Sequence, residues 1–174
     1  MKNSYYYLVA SLPMLHFGMK PPLSYPDFLG SCASELNQDD MDILREPDSL
    51  WEPGSRNALL KEWENFNRSL RNELVRTRAA KKGKDPNKYL RGDSGVDPFI
   101  APLTHWAVNQ DSPMEAELYL DRARWDKIEE IKTGHYFDLE YLIAYGLQLK
   151  ILERWNRINS ADGVKVLEGL AEKI

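Results

Sequence analysis

A chain of 174 residues, 43% of them hydrophobic and 29% charged, has enough apolar content for a folded core and lies far from the composition of disordered chains. The formal net charge of -4 excludes the generally basic surface that neutralises nucleic-acid phosphates, so any basic function is local. Cys32 is the one cysteine. An internal disulfide is therefore excluded, a thiolate-held metal cluster lacks its ligands, and a reducing, cytoplasmic setting is expected.

Tyr5 to Leu12 is an aromatic and aliphatic run stopped by Pro13. It is short enough to be a strand or a buried helical turn, and periodicity does not decide between them. Pro13, His16 and Lys20 cut the apolar stretch too short for a signal peptide, so the segment is expected in the mature protein. Pro21, Pro22 and Pro26 make Lys20 to Pro26 an extended connector, because each fixes its own φ and biases the residue before it away from helix. Ser24 is placed to cap a helix from about Pro26 towards Asn37, with Phe28, Leu29, Cys32 and Leu36 on one face.

Ser55 is a candidate cap for the longest helix, in which Leu59, Trp63, Phe66, Leu70 and Leu74 recur every three or four residues. Beyond Leu74 the stripe gives way to Arg76, Arg78, Lys81, Lys82, Lys84, Lys88 and Arg91, interrupted by Gly83, Pro86 and Gly92. This composition predicts an exposed, mobile basic loop over 76–96, with Asp93-Ser94-Gly95 and Asp97-Pro98 as turn chemistry. Phe99 to Val108 reads as a short apolar element. Ser112, Pro113 and Glu115 form a capping-box start for a helix with Leu118, Trp125 and Ile128 on its apolar face and Gly134 at its end. Asp138 caps a further helix whose buried side is Leu139, Leu142, Ile143, Leu149 and Leu152, and Asp162 to Ile174 has helical spacing. The expected fold is all-α: one helical bundle-like domain over 1–174 with a short N-terminal aromatic segment, and Trp63, Phe66 and Leu70 facing Leu142, Leu149 or Leu152. The longest apolar stretch outside the N-terminus, Tyr141 to Leu147, falls far below the roughly 20 residues that span a bilayer.

The sequence carries no recognisable catalytic set. His16, His105 and His135 are scattered without the spacing of a metal-binding helix, and Cys32 on an apolar face reads as a structural thiol. There is neither a P-loop nor a dinucleotide fingerprint. The acidic clusters Asp39-Asp40-Asp42 and Glu129-Glu130 lack calcium-loop spacing and read as solvated faces or caps. The basic run is the sharpest polar feature. Arg76, Arg78, Lys81 and Lys82 are candidate partner-binding residues, suited to an acidic protein or to phosphate, and a solvated loop is the plainer alternative. No catalytic residue, metal or cofactor is assigned.

Taken together, Tyr5-Tyr6-Tyr7-Leu8-Val9-Ala10-Ser11-Leu12-Pro13, the Pro21-Pro22-Leu23-Ser24 connector and the block from Phe137 to Asn159 resemble bacterial proteins encoded in operons for V-type ATP synthase and related to that enzyme's C-type (eukaryotic d-type) coupling component, which joins the central rotor stalk to the membrane ring. In that family a tyrosine-rich segment opens a helical lobe, and an aspartate-initiated helix with an apolar body ends near an arginine. On the matching positions the resemblance singles out Tyr6, Tyr7, Asp138, Tyr141 and Arg154. It touches both ends of the chain and leaves roughly Asp39 to Ser112 unplaced, and 174 residues are too few for the three helical lobes of the C-type component. What it implies is a non-catalytic structural or coupling subunit, or an assembly factor, which contacts stalk or membrane-ring subunits and lies peripheral to the inner membrane without spanning it. The reading from another class is a small nucleic-acid or acidic-partner binding module using the basic 76–91 run. An enzyme built from carboxylates distant in sequence is the third.

Overall fold

The computed structural model describes residues 4–45, 57–92 and 98–160. Among these there are seven α-helices, one 3-10 turn and no strand: α1 (Tyr6–Ser11), α2 (Tyr25–Ala33), α3 (Gln38–Arg45), α4 (Ala58–Lys81), the turn Pro86–Lys88, α5 (Ala101–Val108), α6 (Pro113–Lys132) and α7 (Leu139–Ile158). The all-α expectation holds. The chain divides into two compact units, one built from the described residues up to 45 and from 132 onward, the other from those between 57 and 131. The proposed Ser55 cap, the turn residues 93–97 and the segment from 162 onward lie outside the described residues.

In the first unit α2 and α3 pack on α7. Asp138 caps α7, its Oδ1 accepting the Tyr141 N–H at 3.2 Å, and the helix is buried nearly all round: Leu139, every residue from Leu142 to Leu149, Ile151, Leu152 and Trp155. Ser24 caps α2, its Oγ accepting the Asp27 N–H at 3.2 Å, which places Phe28 and Cys32 fully inside. The helix stops at Ala33 rather than near Asn37. The Glu35 and Leu36 N–H groups both donate to the Cys32 carbonyl, and Asn37 starts a new helix, its Oδ1 accepting the Asp40 N–H at 2.9 Å. Serine and asparagine satisfy backbone groups locally better than they extend a helix, which divides α2 from α3. At Gly146 the side chains of α2 lie close against α7, since a Cβ there would lie 3.1 Å from Tyr25 Cε2 and 3.2 Å from Phe28 Cε1.

The N-terminal aromatic run is helical. Leu12, next to Pro13, has already turned extended at ψ 135°, as a residue before proline must. Three bonds hold this segment in the unit: the Tyr5 N–H donates to the Phe137 carbonyl at 2.6 Å, the Tyr5 hydroxyl donates to Asp40 Oδ2, and the Tyr145 hydroxyl donates to the Pro13 carbonyl at 2.9 Å.

In the second unit Asn57 caps α4, its Oδ1 accepting the Leu59 and Leu60 N–H groups at 2.9 and 3.3 Å. Leu70 and Leu74 of α4 form a buried cluster with Ile100, Ala107 of α5 and Leu120 of α6, with Phe66, Val108 and Ala116 packed against it. Leu70 and Phe66, expected to face Leu142, Leu149 or Leu152, have partners on α5 and α6 within this unit. On α6 the apolar face is also shifted: Leu118 is 43% exposed, while Leu120 is 1%. The buried stripe runs through Leu120, Asp121, Trp125 and Ile128, and a buried aspartate in the stripe hides it from a purely apolar count. Asp121 is buried because it is ion-paired with Arg124, the condition under which carboxylates are found inside.

The basic loop over 76–96 is corrected in its first part. Helix α4 continues to Lys81, because arginine, lysine and alanine are good helix formers and cations are stabilised at a helix C-terminus. Gly83, at φ +61°, ends it in a conformation that favours glycine. Further on, the buried Asn72 side chain grips the backbone of Arg91 in both directions, donating to its carbonyl at 2.9 Å and accepting its N–H at 3.0 Å.

Candidate functional site

Helix α1 presents an aromatic surface. Tyr6 is 54% and Tyr7 85% exposed, and Phe137 is 41% exposed. The Tyr6 ring lies 4.8 Å from that of Phe137 and 5.7 Å edge-on from that of Tyr7. Beside them an open groove of about 360 Å³ runs along Ser4 to Leu8 and is closed by Glu35 and Asn37. Exposed rings gathered on one face are characteristic of protein interfaces, where they bury large areas at low entropic cost. Of the residues singled out by resemblance, Tyr6 and Tyr7 lie on this surface and Asp138 is the cap of α7. Tyr141 is half-buried on the first turn with Lys132 Nζ 5.7 Å above its ring. Arg154 is half-buried towards the C-terminal end of α7.

The four basic candidates do not form one face. Arg76 is half-buried and its Nη1 pairs with Glu73 Oε2 at 2.9 Å, and Lys81 Nζ donates to the Val108 carbonyl at 3.1 Å and to Asn109 Oδ1 at 3.2 Å. Arg78 and Lys82 are exposed at the end of α4. Two of the four cations are thus engaged within the second unit itself, on α4 and at the end of α5.

Single-residue reading missed a convergence at the head of α7. The Nδ1 of His135 lies 2.6 Å from Asp138 Oδ2 and 4.0 Å from Glu140 Oε2, and one ligand atom from each of the three side chains lies within 4.8 Å of the others. The available signal was a histidine three residues before a capping aspartate. Its backbone is fixed as well: the His135 N–H donates to the Lys132 carbonyl at 2.9 Å, after Gly134 at φ +90°.

Cys32 is structural. Burial pushes its thiol up to about 12, so no thiolate forms near neutral pH. We expect no alkylation of Cys32 by iodoacetamide in the native chain and full alkylation in denaturant, read by intact mass. Rapid native labelling would show that α2 opens readily.

Comparison with curated proteins and with solved structures finds no significant match. Residues 53–174, well over half of the chain, match the family described as "Protein of unknown function (DUF2764)", and the chain belongs to that family.

Proposed function

We propose that the chain is a non-catalytic structural or coupling component, or assembly factor, of a bacterial V-type ATP synthase, and that it docks on a stalk or membrane-ring subunit through the aromatic surface of α1. The supporting observation is that two of the three segments carrying the resemblance, 5–13 and 137–159, meet in one unit through the Tyr5 N–H to Phe137 carbonyl bond and the Tyr6–Phe137 ring contact. That leaves Tyr6 and Tyr7 displayed outward on a supported helix. Among the described residues no helix is long and apolar enough to cross a membrane, which fits a peripheral attachment through the complex.

The test is co-purification of the full chain with reconstituted stalk and membrane-ring subunits, followed by size-exclusion chromatography. A stoichiometric complex is expected. The double variant Tyr6→Ala, Tyr7→Ala should weaken it about tenfold or more, the scale of an aromatic interface anchor, with the melting temperature nearly unchanged because both rings are exposed. Separate migration of the wild-type chain at micromolar concentration would overturn the proposal.

A further inference from the structure

We infer that His135, Asp138 and Glu140 form a binding site for a borderline divalent transition ion such as Zn²⁺. The donor set is one imidazole nitrogen and two carboxylate oxygens, which suits zinc and its neighbours, whereas magnesium and calcium prefer oxygen alone. Zinc bonds of roughly 2.0–2.2 Å in tetrahedral geometry put ligand atoms about 3.3 Å apart. The separations of 2.6 and 4.0 Å here bracket that value. With one ligand atom from each side chain within 4.8 Å of the others, opening the His135–Asp138 pair and drawing in Glu140 take side-chain displacements of up to about 1.5 Å against those bond lengths. Three protein ligands leave a coordination position for water or a partner's side chain.

The backbone holds the ligands in place beforehand. Asp138 uses its two oxygens separately, Oδ1 on the Tyr141 N–H at 3.2 Å and Oδ2 towards His135, so the cap of α7 persists while Oδ2 ligates. Tyr5 pins the intervening turn at the Phe137 carbonyl. The ion would take the Nδ1 lone pair, so the ring proton moves to Nε2, and the two carboxylate charges exceed the roughly half positive charge of the α7 N-terminus.

Isothermal titration of the chelator-treated full chain with Zn²⁺ is expected to show one saturable equivalent, and Co²⁺ should give the visible absorption of a low-coordinate nitrogen and oxygen site. His135→Gln and Glu140→Gln should each weaken binding at least about tenfold and remove the Co²⁺ bands. Both spare Asp138, and circular dichroism is the accompanying check that each variant is folded. Three results would overturn the site: no saturable Zn²⁺ uptake below millimolar ion, uptake unchanged in either variant, or Ca²⁺ binding as tight as Zn²⁺ and indifferent to His135→Gln.

Discussion

Truncation of Phe28 to alanine is expected to destabilise the first unit by about 3–5 kcal/mol, the range for a large aromatic removed from a packed interior. Phe28 is 0% exposed, with its ring centroid 5.2 Å from that of Tyr145 and 5.9 Å from that of Tyr25. The vacated space cannot readily collapse, because both neighbours are tethered. The Tyr25 hydroxyl donates to the Leu44 carbonyl at 2.8 Å and the Tyr145 hydroxyl to the Pro13 carbonyl at 2.9 Å. Urea unfolding followed by tryptophan fluorescence measures the loss, with Trp155 of α7 as a reporter in the same unit. Phe28→Leu should lose less, since it retains part of the buried volume. A Phe28→Ala loss under about 1 kcal/mol, well below that range, would mean that α2 does not insert this ring between Tyr25 and Tyr145.

Leu149→Ala should cost about 2–5 kcal/mol. Leu149 is 0% exposed on a helix with buried residues on every side, so no rotation of α7 can return the truncated position to solvent. The matched control is Leu118→Ala on α6, at 43% exposure, which should change stability by no more than about 0.5 kcal/mol. Comparing two leucine truncations in one assay separates burial from side-chain chemistry. Equal losses would show that one of the two faces is wrongly oriented.

Much of the fold was legible where local chemistry and periodicity agree. Ser24, Ser112 and Asp138 announce their helices because each side chain accepts a backbone N–H of the first turn. The reading failed where a polar residue occupies a buried place or a charged one continues a helix. Asp121 sits in the buried stripe of α6 because Arg124 pairs with it, a relation invisible to an apolar count, and so Leu118 took the place of Leu120. Arg76 to Lys81 resembled a loop by charge, yet the helix propensity of those residues carries α4 through them until Gly83. Helix α3 escaped notice because two buried residues, Met41 and Leu44, make too short a stripe for periodicity to reveal. At the candidate site, Asp138 was legible as a cap, but its convergence with His135 and Glu140 depends on the turn between α6 and α7, which residue spacing alone does not give.

The first unit is discontinuous, assembled from the chain's beginning and from the residues after α6. This imposes an order during synthesis. The second unit is one continuous stretch whose contacts lie close along the chain, so it can close as soon as α6 has emerged from the ribosome. Helices α1 to α3 are made before α4 to α6 but have no α7 to cover Phe28, Cys32, Met41 and Leu44 until that helix too has been synthesised. The apolar residues of α2 and α3 are therefore covered only after α4 to α7 have been made, and over that interval they are open to contact with other nascent chains.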